Sequence, residues 1–225
     1  MNAQGKRSGE TAREYAYRMI REQVISLELK PGEAFNDMEF AAKIGVSRTP
    51  VREAVIQLSE ESRIIEIFPQ RGMRIAPIDV ELVEEARSLR VLLEKQIAGM
   101  CCEMATEEDI KWLQENVGLQ EFYMENSRPE MVMQLDDEMH HKLFMICHRE
   151  LTYGMCQKLA IHYDRIRSLS VNTVKDNTII EDHRKIIQCI AEHKKENAMA
   201  QMEKHLSRWQ LNEGKFRQEF PDYFK

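Results

Sequence analysis

The chain has 225 residues, 43% hydrophobic and 31% charged, an ordinary composition for a globular protein of one large domain or two modest ones. No stretch approaches the roughly 20 apolar residues needed to cross a bilayer, the N-terminus MNAQGKRSGETAREY lacks a signal-peptide core, and five cysteines without a CxxC pair fit reduced thiols in a cytoplasm rather than a disulfide framework. The net charge of −6 argues at first against a nucleic-acid partner, but residues 1–78 hold 12 Lys+Arg against 11 Asp+Glu, so the acidity belongs to the remainder, and a DNA-binding patch needs positive charge only locally.

In chain order, residues 11–27 form one amphipathic segment, with Ala16, Met19, Ile20 and Val24 at helical spacing. Lys30-Pro31-Gly32 breaks it. Asn36 followed by Glu39 reads as a capping box that starts the short helix DMEFAAKI, and Gly45 ends that helix in the left-handed manner. Ser47 is expected to cap a second helix, RTPVREAVIQLS, whose Val51, Ala54, Val55 and Leu58 must face a core. Two short helices across a three-residue turn containing Gly are a helix-turn-helix pattern. RIIEIF and MRIAPI, separated by Pro69-Gln70-Arg71-Gly72, read as a β-hairpin wing. From residue 79 six helical segments are expected, at roughly 79–103, 107–125, 129–148, 152–169, 175–194 and 196–217. The fold class is therefore mainly α: a winged helix-turn-helix domain over 1–78 and an all-α antiparallel bundle over 79–225.

On the second short helix Arg48 and Arg52 sit four apart, opposite the apolar stripe, with Thr49 and Glu53 alongside. Arginines so placed can bond guanine O6 and N7 in a major groove, while Ser47 and Thr49 at the helix start suit phosphates. Arg71 and Gly72 at the wing tip are placed to approach a phosphate or minor-groove wall. In the bundle, Asp136, Met139, His140, Leu143 and Cys147 fall on one helical face. His183 shares a stripe with Ile186, Ile187 and Ile190, and His205 with Met202, Leu206 and Trp209. Polar groups on core stripes are costly unless paired or metal-bound, and one carboxylate with three imidazoles suits Zn2+ or Ni2+. Periodicity alone does not choose among the histidines: His162 also lies on an apolar stripe, whereas His141, His148 and His193 are expected at edges or helix ends. Met133, Met139 and Met145 are expected close around the site.

The run LKPGEAFNDMEFAAKIGVSRTPVREAVIQL, continuing to PQRG, resembles the winged helix-turn-helix of the GntR regulators. RVLLEKQIA, LDDEMHHKLF, DHRKIIQCIAEHKKENAMAQMEKHL and the closing FPDYF resemble the FCD effector-binding domain of the FadR subfamily. The resemblance implies that Ser47, Arg48, Thr49, Arg52, Arg71 and Gly72 contact operator double-stranded DNA. It implies that Asp136, His140, His183 and His205 bind a divalent metal, and that Arg90 receives a small carboxylate effector, Arg165 and Arg167 being weaker pocket candidates. Arg90 has an alternative partner in Glu94, four residues on. Met38 stands where some members carry a DNA-contacting arginine, and Ser62-Arg63 replaces a usual glycine.

The expected function is that of a homodimeric, effector-controlled transcription regulator, a repressor more often than an activator in this family. The alternatives are a metal-free sensor of a larger anion such as acyl-CoA, a sensor of the metal itself, and a metal-dependent enzyme. Against the enzyme stand the lack of an HExxH motif and of a general base beside the ligands.

Overall fold

The computed structural model describes residues 5–173, 178–208 and 213–225, with the side chains of 172 and 173 excepted. It divides into two compact units, Met1–Val80 with Phe220–Lys225, and Glu81–Glu219.

In the first unit α1 (Ala12–Ile25) opens with a capping box in which Thr11 and Glu14 satisfy each other's backbone amides. Its buried stripe of Ala16, Met19, Ile20 and Val24 packs against α3 (Arg48–Ser62), which buries Val51, Ala54, Val55 and Leu58. Between them lies α2 (Asp37–Ile44), capped by the Asn36 side chain accepting from the amides of Met38 and Glu39 and closed by Gly45 at φ 73°. Ser47 occupies the N-cap position of α3 but makes no side-chain cap bond, contrary to its expected role. The wing is β2 (Ile65–Phe68) against β3 (Gly72–Ile75), antiparallel with Phe68 opposite Gly72. A strand absent from the sequence reading, β1 (Ala34–Phe35), pairs with the other edge of β3 and completes a sheet of order β1-β3-β2.

The last six residues belong with this unit rather than with the bundle, which corrects the expected boundary of 79–225. The Ile78 amide donates to the carbonyl of Tyr223 at 2.7 Å, and the Lys225 amide donates to the carbonyl of Ile78 at 3.0 Å. A buried Ile78 backbone would otherwise lack partners.

The described elements of the second unit are all helices, joined by short turns: α4 (Val80–Met104), α5 (Glu107–Glu125), α6 (Pro129–Ile146), α7 (Glu150–Thr173), α8 (Thr178–Ala191), α9 (Lys195–Leu206) and α10 (Glu213–Glu219). α5 packs on α6 and α8, α6 on α7, and α8 on α9. The helix expected over 196–217 is not continuous. α9 ends where Ser207 donates through Oγ to the carbonyl of Glu203 and through its amide to that of Lys204, a tightened last turn. Residues 175–177 and 209–212, including Trp209, lie outside the described residues. All five cysteines are free thiols.

Candidate functional site

The exposed rim of the helix-turn-helix carries the residues expected to meet DNA. Ser47, Arg48, Thr49 and Arg52 are exposed along the first turns of α3, and Arg71 and Gly72 are exposed at the wing turn. Gly72 has φ 101° and Gln70 φ 61°, the left-handed backbone that reverses the hairpin in three residues. Arg48 is not simply a free guanidinium. Its Nε donates to Asp37 Oδ2 at 3.0 Å, tying the first turn of α3 to that of α2 while 57% of its side chain stays exposed. Asp37 itself is buried, so this pair fixes the angle between the two helices as well as presenting a cation.

In the second unit four buried side chains from three helices converge: Asp136 and His140 on α6, His183 on α8 and His205 on α9. One ligand atom from each lies within 4.8 Å of all the others. Nε2 of His183 is 3.3 Å from Nε2 of His205 and 3.3 Å from Asp136 Oδ1. His140 Nε2 is 3.7 Å from Asp136 Oδ2. Bonds of about 2.0–2.1 Å to a tetrahedral ion put neighbouring ligands about 3.3 Å apart, so the spacing fits such a centre. Among the described residues, Nε2 of His140 and Nδ1 of His205 are buried without hydrogen-bond partners. Burial pushes the His183 imidazole down to about 4 and that of His205 well below its usual range, where His183 and His140 add to the effect. Both rings are therefore neutral at pH 7 and present lone pairs.

A surrounding set of side chains orients these groups. His183 donates through Nδ1 to Gln120 Oε1 at 2.8 Å, Gln120 donates to Asn116 Oδ1 at 2.8 Å, and Asn116 donates to the Leu135 carbonyl at 3.1 Å. That chain leaves Nε2 of His183 as the free lone pair. Glu94 Oε2 lies 2.5 Å from Nδ1 of His140. Burial alone would raise the Asp136 carboxyl, but the Arg167 guanidinium beside it outweighs that effect and holds the group ionised. Arg167 Nη2 contacts Asp136 Oδ2, and it reaches Asp137 Oδ1 at 2.8 Å, while Nη1 is 2.7 Å from Asp164 Oδ1.

Arg90 adopts the alternative pairing: Nε and Nη2 engage Glu94 at 2.5 and 3.3 Å, and the guanidinium lies 5.3 Å over the ring of Tyr163. It also lines a cavity of about 40 Å3 with Asp136, Met133, Arg167, His205 and Arg208. Arg165 is fully buried and does not line that cavity. His162 is buried on α7 but outside the four-residue cluster. Of the three methionines, Met133 lines the cavity and Met139 is core, but Met145 is 46% exposed. Nine residues past Asp136 is half a turn away on an α-helix, so Met145 points opposite to the site. Gln120 and Arg208 escaped the sequence reading altogether. Neither sits in a motif, and only the packing of α5 and of the segment after α9 brings them to the cluster.

The gntR-family profile of bacterial regulatory proteins matches residues 12–75, and the FCD-domain profile matches residues 85–208. This chain belongs to the GntR family and carries an FCD domain. It is 28% identical over 209 residues to the transcriptional repressor RspR of Escherichia coli (strain K12), covering 92% of this chain and 91% of that protein. It is 26% identical to the Nta operon transcriptional regulator of Aminobacter aminovorans over 82% of this chain and 86% of the other. The same fold is found in E. coli McbR/YncC, with a TM-score of 0.78 at 17% identity over 93% of this chain and 99% of that one. A GntR regulator from Rhodococcus sp. RHA1 gives 0.71 at 16% over 89% and 96%. These families and relatives are transcription regulators, not enzymes. No helix among the described residues is long and apolar enough to cross a membrane.

Proposed function

We propose that this GntR regulator is a cytoplasmic homodimeric repressor of the FadR subfamily, whose operator affinity is set by a small organic acid bound at a divalent metal site in the helical unit. The convergence of the Asp136 carboxylate with the nitrogens of His140, His183 and His205 carries this reading. Three nitrogens and one carboxylate favour Zn2+ or Ni2+. When bound, the ion would supply a Lewis acid, and a carboxylate would join it by expanding the coordination beyond the four protein ligands. Asp136 and the three histidines hold it, Gln120 and Glu94 fix the ring orientations of His183 and His140, and Arg90 offers a cation in the adjoining cavity. A larger anion such as acyl-CoA bound without a metal is the weaker reading, because it leaves the converged Asp136, His140, His183 and His205 buried with no ion among them.

On the DNA side, Arg48 and Arg52 read base edges, Ser47 and Thr49 hold phosphates, and Arg71 with Gly72 brings the wing to the backbone. Two copies place their α3 helices about one turn of DNA apart over a pseudo-palindrome. Effector control requires unequal affinity for the DNA-competent and incompetent arrangements, a coupling of about 1–3 kcal/mol. Repression follows the character of RspR.

Native mass spectrometry of the untagged protein and of the Asp136→Ala/His205→Ala variant tests the site. One metal per chain in a dimer, lost in the variant, is the expected result. A chain purified without chelator that is metal-free and takes up neither Zn2+ nor Ni2+ overturns the metal reading, and leaves operator binding by the winged unit to stand.

A further inference from the structure

Asp136 is asked to serve two cations. Its Oδ1 faces His183 Nε2 at 3.3 Å in the ligand cluster, while its Oδ2 is in contact with Arg167 Nη2. Arg167 lies on α7 with only 13% of its side chain exposed, and it lines the cavity beside His205. It spends its fork on three carboxylates, those of Asp136, Asp137 and Asp164. A buried carboxylate needs a positive partner. Here the guanidinium meets that need from within the chain.

We propose that Arg167 is an internal counter-cation that competes with the metal for Asp136 and so sets the metal affinity below what the four ligands alone would give. The inference rests on the metal reading above. Arg167 holds the Asp136 carboxylate in place before loading, and an ion entering the cluster must draw Asp136 away from the guanidinium against the repulsion of a nearby positive charge. Asp137 and Asp164 take part of that charge, so they temper the competition. An arginine that merely oriented a ligand would do the reverse: outer groups of that kind raise metal affinity, and their loss lowers it about 10–100-fold.

Zn2+ titration of the full-length protein against a chromophoric chelator separates the two roles by sign. Arg167→Met is expected to tighten Zn2+ binding about tenfold or more. Its metal-free form should melt below the wild type, and Zn2+ should raise that melting temperature by more than it raises the wild type's. Asp137→Asn, at a side chain that is half exposed, leaves Arg167 a stronger hold on Asp136 and is expected to weaken Zn2+ binding several-fold. Unchanged or weaker binding in a folded Arg167→Met overturns the proposal. If that variant does not fold, unchanged or tighter binding in Asp137→Asn overturns it. Zn2+ bound by the wild type with either of those results sinks this inference alone. No Zn2+ bound by the wild type or by either variant sinks the metal reading with it.

Discussion

Arg63 closes α3 with φ 55° and ψ 22°, a left-handed conformation that sterically penalises any side chain with a Cβ. The strain is about 1–2 kcal/mol for an L-residue, and it persists because the next residue, Ile64, is fully buried and fixes the path into the wing. The departure from glycine at this place in the family pattern is therefore a local weakness in the turn. Arg63→Gly is expected to stabilise the protein by about 0.5–1 kcal/mol, glycine's greater chain entropy offsetting part of the relief. A thermal melt should move up by about 1–4 °C. A melting temperature unchanged or lowered shows that the arginine side chain holds something worth more than the strain. His148 and His193 share the left-handed conformation at φ 55° and 57° just past α6 and α8, so both serve as helix stops outside the metal cluster.

Among the helices, α5 shows how an element is both started and located. Asp109 Oδ2 accepts from the Thr106 amide at 3.0 Å and hydroxyl at 2.7 Å, while Thr106 Oγ1 accepts from the Asp109 amide at 3.1 Å. The same carboxylate reaches across to α6 through Lys142 Nζ at 2.6 Å. Burial pushes the Asp109 carboxyl up, but Lys142 and Thr106 outweigh it and bring it down to about 2. A carboxyl lower in the folded than in the unfolded chain stabilises fully above the unfolded value near 4, and the contribution fades as pH falls toward 2. Asp109→Asn should lose about 1 kcal/mol at pH 7, a figure discounted for solvent screening. Urea midpoints of variant and wild type should converge between pH 4 and 2. A gap that stays constant across that window means that shape, not charge, carries the cap.

Across the whole chain, the closing residues Phe220–Lys225 return to the first unit and pair with the backbone of Ile78, whose side chain is 1% exposed. Lys225 Nζ adds a contact to Asp79 Oδ2 at 3.0 Å. Removal of residues 220–225 is expected to lower the stability of the winged unit by about 1–3 kcal/mol through two lost backbone bonds and exposed apolar surface. Hydrogen exchange at the Ile78 amide should accelerate in step. An unchanged melt with a protected Ile78 amide would show that another segment covers it.

The sequence by itself determined most of the elements and their kind. Asn36 and Gly45 bound α2 as read, and the stripe of Val51, Ala54, Val55 and Leu58 turned inward as its 3.6-residue period requires. The fold class and the winged motif were legible for that reason: caps, turns and amphipathic period are local signals. Asp136 and the three histidines were visible as polar groups on apolar stripes, but the stripe gave His162 an equal claim, and the choice came from family resemblance. Tertiary structure alone decided which imidazoles meet, because ring nitrogens 3.3 Å apart on α8 and α9 depend on how two helices pack and not on either one's period. It alone paired Arg90 with Glu94 and Arg167 with Asp136, placed Gln120 behind His183, joined β1 to β3, and returned the tail to Ile78. Each is a partnership across distant segments or between competing neighbours, decided by how the helices and strands pack together.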